Sequence, residues 1–299
     1  MIGLGRMGGN MARRLTRGGH HVLGFDLDPS ATTAVQADGV VPSASLVELV
    51  HALQGPRSVW IMLPAGEPTE AAIQTFADLL QAGDTVLEGG NSHYKDSLRR
   101  AASLRSHGID FLDVGISGGT WGLADGYSVM VGGEEEAVER HRRLFETLAP
   151  GPERGWGHVG PVGAGHYAKM VHNAIEYGLM QAYAEGFELL KANPDLGIDV
   201  HQVAEIWRHG SVVRSWLLDL TAELFADDPI LADVRGWVPD TGEGRWAVAE
   251  AIDLDISVPV ITAALERRLR SRQTEPFSDR LLVALRGKFG GHDVPRSAT

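Results

Sequence analysis

Gly163-Ala164-Gly165-His166-Tyr167-Ala168-Lys169-Met170-Val171-His172-Asn173-Ala174-Ile175-Glu176-Tyr177 is the stretch on which the reading of this chain turns. Gly163 and Gly165 supply a permissive backbone corner, and the apolar-rich run that follows to Leu190 holds no proline, so the pattern predicts a long helix from about Ala164. Lys169 falls near its second turn. His172, Asn173 and Glu176 follow the lysine at offsets of three, four and seven, which puts all four on one helix face within roughly 100°, with Tyr177 at its margin. The Cα atoms of Lys169 and Glu176 then stand roughly 10 Å apart along the axis. That is too far for a local ion pair and near enough for one extended small molecule to reach both. Met170, Val171, Ala174, Ile175, Leu179, Met180, Ala182 and Ala184 spread apolar residues around most of the circumference, which predicts a helix buried nearly all round. The competing reading is a solvated polar stripe on an ordinary amphipathic helix. Buried polar groups are costly without partners, and a ligand pocket would supply them.

Upstream, the chain opens Met1-Ile2-Gly3-Leu4-Gly5-Arg6-Met7-Gly8 and continues into a helical pattern through Leu15. Gly3, Gly5 and Gly8 form G-x-G-x-x-G: a tight turn, a bare backbone where a pyrophosphate can approach, and a close helix contact. Alone the motif is weak. It gains weight from Val22 to Phe25, a short apolar run ending in Asp26, where an acid would bind a ribose 2′-hydroxyl and repel a 2′-phosphate. NAD is therefore expected in preference to NADP. Only Met1 and Ile2 precede Gly3, which implies a truncated first strand and a chain that starts late.

Further strand-like runs at Val40-Val41, Val59 to Leu63, Thr85 to Leu87, Ile109 to Val114 and Tyr127 to Val131 alternate with helical stretches such as Thr69 to Leu80 and Asp96 to His107. This is the pattern of an α/β, Rossmann-like, doubly wound and mostly parallel sheet. Three loops fall just past strand ends, where open α/β sheets place ligands: Pro64-Ala65-Gly66, Gly89-Gly90-Asn91-Ser92 and Gly115-Ile116-Ser117-Gly118-Gly119. Beyond about Pro161 only helical patterns remain, from Gly165 to Lys191 through Asp279 to Leu285. Two domains are expected, a dinucleotide-binding domain at 1–162 and an all-α domain at 163–299, with Gly287 to Thr299 as a loose polar tail.

Composition excludes several classes. A net charge of −12 opposes nucleic acid or an anionic membrane as the main partner, and the absence of cysteine removes disulfides and thiolate chemistry. The 12 histidines show no ligand spacing, so no metal is expected. No apolar run reaches the roughly 18 residues of a membrane span and no leader pattern opens the chain, so the expected location is the cytoplasm.

Three segments carry a resemblance. The G-L-G-x-M-G opening, the D-x-x-x-S-G-G run ending at Gly119, and G-x-G-x-x-x-K-x-x-x-N from Gly163 to Asn173 resemble the β-hydroxyacid dehydrogenases. Within that group, Gly90-Asn91-Ser92, K-M-V-H-N-x-I-E-Y from Lys169 to Tyr177, and Thr241-Gly242-Glu243-Gly244-Arg245-Trp246 are similar to the short form of the decarboxylating 6-phosphogluconate dehydrogenase family. The resemblance implies a general base at Lys169 and an acid at Glu176. It assigns substrate hydroxyl and carboxylate contacts to Asn91, Ser117, Gly118, Gly119, His172 and Asn173, and phosphate contacts to Tyr177, Arg245 and Arg267. Cofactor contacts fall on Gly3, Leu4, Gly5, Arg6, Met7, Gly8, Asp26, Leu63, Pro64, Ala65 and Asn91. Leu27 and Asp28 stand where NADP-using members tend to carry an arginine and a small hydroxyl residue, which again favours NAD. Arg245 replaces a lysine common in the family, keeping charge and changing hydrogen-bond geometry. A phosphorylated sugar acid is the implied substrate, and a homodimer or homotetramer the implied assembly. Two other readings stay open: a non-decarboxylating relative acting on a small hydroxy acid, which would need Lys169 and Asn173 but not Glu176, Tyr177 or Arg245, and a non-catalytic NAD-binding sensor, suggested by the truncated strand.

Overall fold

The structure, a computed structural model, describes residues 1–290 and 295. Contacts divide the chain into two compact units, Met1–His172 and Asn173–Thr299.

In the first unit the elements run α1 (Arg6–Arg17), β1 (Leu23–Gly24), α2 (Pro29–Gln36), β2 (Val41–Pro42), α3 (Leu46–Ala52), β3 (Ser58–Ile61), α4 (Glu67–Leu79), β4 (Thr85–Glu88), α5 (Tyr94–Arg105), β5 (Asp110–Ser117), α6 (Gly122–Asp125), β6 (Ser128–Gly132), α7 (Glu135–Arg140), α8 (Arg142–Leu148) and β7 (Trp156–Gly160). Strands β3-β4-β5-β6-β7 form one sheet and β1-β2 another, all parallel except β5 against β6. Ile2 joins the two pieces, bridging in parallel to Phe25 on one side and Ile61 on the other. The first strand is thus reduced to one paired residue. Its backbone bonds are complete at that point: Ile2 donates to Trp60 at 2.8 Å and accepts from Met62 at 2.7 Å, while Gly3 donates to Phe25 at 2.9 Å. At the amino ends of β1, β3 and β4, beside Met1, lies a cavity of about 520 Å³ lined by Leu23, Leu49, Arg57, Trp60 and His141 among others.

Apolar residues cover both faces of the sheet, which is why its strands read as continuous apolar runs. One cluster centres on Met11, Leu15, Val114, Val129, Val131 and Phe145; the other on Leu49, Ile61, Ile73, Phe76, Val86 and Leu104. The sequence pattern misses β7, whose alternation is broken by two glycines, and the short α7–α8 pair.

The helix α9 (Ala164–Lys191) begins where predicted and runs unbroken for 28 residues. Its first two turns belong to the first unit, so the division falls inside the helix rather than at its start, ten residues past the expected boundary. The reason is packing. A Cβ on Gly165 would lie 2.3 Å from the Asp113 carbonyl oxygen and 2.6 Å from that of Met130, so only glycine lets the helix rest directly on β5 and β6. Of these two corner glycines, Gly163 is the one in the left-handed region, at φ +93°.

In the second unit α10 (Val200–Arg208), α11 (Trp216–Asp227), α12 (Glu243–Asp253), α13 (Pro259–Arg270) and α14 (Phe277–Gly290) follow. Ser215 caps α11 and Asp199 caps α10, each side chain accepting from backbone N–H groups of the first turn. Phe187, Val200, Ala204, Leu218, Ala222 and Phe225 make a separate core. The expected tail from Gly287 is instead helical as far as Gly290; most of its remainder lies outside the described residues.

Candidate active site

The buried-all-round expectation for α9 is corrected by its exposures. Lys169, Asn173 and Tyr177 are 8%, 8% and 6% exposed, whereas Val171, Ile175 and Leu179 are 37%, 52% and 45% exposed. Spacings of four put each trio on its own face, so from Lys169 to Leu179 the usual amphipathicity is inverted: polar groups lie inward, beside buried Met170 and Ala174, and aliphatic ones outward. A helix that merely presented charge to water would do the reverse.

The placement of Lys169 is fixed from β5. A Cβ on Gly115 would fall 2.7 Å from the lysine Cβ and 2.5 Å from the Gly165 carbonyl oxygen, so this strand position must be bare for the lysine to sit there. Asp113, fully buried on the same strand, accepts from the backbone N–H of Gly163 at 2.6 Å and of His166 at 2.8 Å. A strand carboxylate therefore serves as the N-terminal cap of α9, satisfying donors that the helix leaves unpaired and favouring its positive end. Further along β5, the Ser117 hydroxyl meets His172 Nε2 at 3.3 Å. Gly118 and Gly119 follow at φ +136° and +54°, turning the chain sharply past the strand end.

The cofactor residues converge around the glycine loop. Gly3 lies against Met62 and Leu63, a Cβ there falling 2.4 Å from the Met62 carbonyl oxygen, and Gly8 packs on Gly3 itself, at 2.0 Å from its carbonyl oxygen. A Cβ on Gly5, by contrast, would meet no protein atom within 4 Å, although this residue opens α1 at an ordinary φ of −60°. Packing demands two of the glycines. The third leaves a helix N-terminus open, the arrangement that suits a pyrophosphate. Gly90 abuts the Leu63 carbonyl oxygen, bringing the loop after β3 beside the loop that carries Asn91. Asp26 has a duty that the sequence did not show: its Oδ2 accepts from Leu4 N–H at 2.6 Å and its Oδ1 from Asp28 N–H at 2.9 Å. It ties the glycine loop to the end of β1, and each oxygen keeps a second lone pair for a ribose hydroxyl. Leu27 beside it is 90% exposed.

In the second unit, Tyr177 lies against one cation. Arg268, one residue beyond the expected Arg267, stacks its guanidinium 3.6 Å from the Tyr177 ring centroid and donates to the Pro239 carbonyl at 2.9 Å. Arg267 is exposed. Helical geometry separates neighbours by roughly 100°, so the two arginines of α13 cannot share a direction, and the sequence alone did not distinguish them. Tyr177 also packs against Gly244, where a Cβ would lie 2.6 Å from the ring, and its hydroxyl stands 3.4 Å from that of Thr241. Arg245 Nε donates to Asp240 at 2.5 Å, and Arg272 approaches the same carboxylate at 3.4 Å. Burial works against the charge on Asp240, but Arg245 and the Gly242 N–H outweigh it and hold the carboxyl below its usual range.

A glycine-rich turn opening a helix on a parallel sheet, followed by a helical region entered through a buried lysine, defines a nicotinamide-dependent dehydrogenase of the two-domain kind. The chain belongs to the 6-phosphogluconate dehydrogenase family: residues 1–160 match the NAD binding domain of 6-phosphogluconate dehydrogenase and residues 165–294 its C-terminal domain. It is 42% identical over 297 residues to the NAD(+)-dependent, decarboxylating 6-phosphogluconate dehydrogenase of Haloferax volcanii, covering 99% of this chain and 98% of that one. Among solved structures it resembles Plasmodium falciparum 6-phosphogluconate dehydrogenase, with a TM-score of 0.84 and 27% identity over 99% of this chain and 65% of that chain. It also resembles Mycobacterium tuberculosis 3-hydroxyisobutyrate dehydrogenase, with a TM-score of 0.71 and 26% identity over 89% of this chain and 90% of that one.

Proposed function

We propose that the chain oxidises and decarboxylates 6-phospho-D-gluconate to D-ribulose 5-phosphate and carbon dioxide, with NAD as acceptor. The observation that carries this reading is the inverted helix α9, whose buried Lys169 and Asn173 and two-turns-distant Glu176 match the pattern of the family to which the chain belongs.

When bound, NAD supplies the acceptor for hydride from C3. The glycine loop from Gly3 to Gly8 would hold its pyrophosphate and Asp26 its ribose, and Leu63, Pro64, Ala65 and Asn91 would hold its nicotinamide half. In its neutral form Lys169 takes the proton of the 3-hydroxyl as hydride departs. Once charged, the same ammonium polarises the 3-keto group while the C1 carboxylate leaves as carbon dioxide. Lys169 gives its proton to the C3 oxygen to form the enediol, and Glu176 then protonates the former C2, now the terminal carbon, as Lys169 takes the oxygen-bound proton back. Asn91, Ser117, Gly118, Gly119, His172 and Asn173 orient the substrate hydroxyls and carboxylate. Tyr177, Arg245 and Arg268 serve its phosphate, with Arg268 taking the part that the sequence had suggested for Arg267.

We further propose a homodimer or homotetramer working in the cytoplasm. The outward row of Val171, Ile175 and Leu179 supports association, because such a row gains most when a second surface covers it. Among the described residues no helix is long and apolar enough to cross a membrane.

Purified protein mixed with 6-phosphogluconate and either NAD or NADP tests the reading. Expected is reduced cofactor and released carbon dioxide in equal amounts, faster with NAD. Reduction without carbon dioxide would favour a non-decarboxylating hydroxyacid dehydrogenase, and NAD binding without turnover would favour a sensor. Replacing Asp26 by Asn should narrow the preference for NAD; an unaltered NAD to NADP ratio would remove the ribose role.

A further inference from the structure

A second set of buried charges lies in the first unit, outside every residue given a chemical role above. Arg100, on α5, is 1% exposed and donates in three directions: to Glu70 from Nε and Nη2 at 2.8 and 2.6 Å, to Glu88 from Nη1 at 2.9 Å, and to the Ser92 hydroxyl at 2.8 Å. Glu88 is fully buried. Its other oxygen accepts from the backbone N–H of Gly90 at 2.9 Å, and the oxygen shared with Arg100 stands 3.6 Å from His166 Nδ1. That same nitrogen meets the Ser97 hydroxyl at 2.7 Å, while His166 Nε2 has no hydrogen-bond partner among the described residues.

Such a cluster is expensive. Burying ionised groups repays its cost only where geometry is fixed and the remaining lone pairs are satisfied, and two apolar residues of like volume would serve plain stability as well or better. What the cluster achieves that an apolar core could not is to hold two separate backbone segments by directional bonds. One is the loop Gly90-Asn91-Ser92, gripped at Gly90 by Glu88 and at Ser92 by Arg100. The other is the first turn of α9, held at His166 by the Ser97 hydroxyl, with the Glu88 carboxylate 3.6 Å from the same nitrogen, three residues before Lys169.

The geometry points to Glu88, Arg100 and His166 as positioning residues that set the Asn91 loop and the lysine of α9 in register with each other, so that a substrate held by the loop meets the base at the right distance. This rests on the roles proposed for Lys169 and Asn91. A misplacement of about 1 Å between reacting groups can cost of the order of a hundredfold in rate.

Glu88→Gln is the first test, because glutamine keeps an acceptor for Gly90 and removes the charge. Expected are a loss in kcat of tenfold or more with 6-phosphogluconate, NAD affinity within about twofold of the parent, and a larger primary isotope effect with substrate deuterated at C3. Amide exchange should quicken in both segments together, at 90–92 and at 164–168. Ser97→Ala, a small change that a folded chain will tolerate, should move the same quantities in the same direction by less, and Arg100→Lys should retain more activity than Arg100→Met. The proposal is overturned if kcat and the isotope effect stay put while only the melting temperature falls, or if faster exchange is confined to one segment. Should the parent protein fail to turn over 6-phosphogluconate at all, the proposed reaction fails, and the exchange measurement still decides whether the two segments are held as one.

Discussion

Ile2 and β5 are two strand positions in one sheet, and they are built very differently. The slot of Ile2 contributes a single bridging residue, with Phe25 just past the two-residue β1 on one side and Ile61, the last residue of β3, on the other. Strand β5 contributes eight residues, all but its ends buried, each of them paired: Asp110 to Asp113 with β4 and Asp113 to Ser117 with β6. The glycine loop hangs from the first and the lysine helix rests on the second. Local opening costs least where few bonds and contacts must break, so the cofactor end of the molecule is the soft one and the end that positions Lys169 is the stiff one. Recognition of NAD tolerates a loop that settles around its ligand; proton transfer from a fixed hydroxyl to a fixed amine does not.

The largest expected effect is chemical. Lys169→Met should abolish turnover, a loss of roughly a thousandfold or more given what general bases contribute, while NAD affinity stays within about twofold. A parallel loss of NAD binding would mean that the two regions are not independent and would break the comparison. A matched pair of glycine substitutions sharpens it. Gly165→Ala would drive a methyl group into the Asp113 and Met130 carbonyls, at 2.3 and 2.6 Å, so thermal unfolding should show a loss of about 1–3 kcal/mol with a fall in kcat. Gly5→Ala meets no protein atom within 4 Å, so the melting temperature should hold and NAD affinity alone should drop, by about tenfold, in a titration followed by fluorescence. If Gly5→Ala proves the more destabilising of the two, the stiff and soft ends have been assigned the wrong way round.

How much of this was legible beforehand follows the range of the interactions. The glycine loop, the α/β alternation and the onset of α9 depend on residues a few positions apart, and the pattern carried them. The exposed stripe of Val171, Ile175 and Leu179 was not legible, because composition around a helix does not say which side is covered. Asp113 capping α9 from fifty residues away, and Asp26 gripping Leu4 across twenty-two, are long-range choices that no local spacing encodes. A hint existed for Asp113, an acid inside the apolar run Asp110 to Val114, and for Glu88, a glutamate just before Gly89-Gly90-Asn91. The choice between Arg267 and Arg268 is of another sort: one step along a helix turns a side chain by roughly 100°, and the sequence does not show that Arg268 is the one stacked on Tyr177.

That last point supplies a smaller test. Arg268→Ala should raise the KM for 6-phosphogluconate by about tenfold, in line with the loss of a stacked cation and its charge, with little change in the KM for NAD. Arg267→Ala should change neither by more than about twofold. Equal effects of the two would place the phosphate away from Tyr177.

The smallest expected effect concerns acid stability at the rim of the first unit. Arg99 donates through two nitrogens to Glu70, with Arg100 adding a third and fourth bond, and together, Arg99 foremost, they bring its carboxyl from an ordinary 4.5 down to about 2. A carboxyl depressed in the folded state stabilises the protein fully above its unfolded value, and that contribution drains away as pH falls from 4.5 toward 2. Arg99→Gln takes away the foremost cause, so the mutant should lose less stability than the parent across that window. Near neutrality it should be weaker by no more than about 1 kcal/mol, since Arg99 is well exposed and solvent screens the pair. Melting curves at stepped pH would show it; parallel curves for parent and mutant would mean that Arg100 alone holds Glu70, and that the buried charge cluster needs no support from the surface.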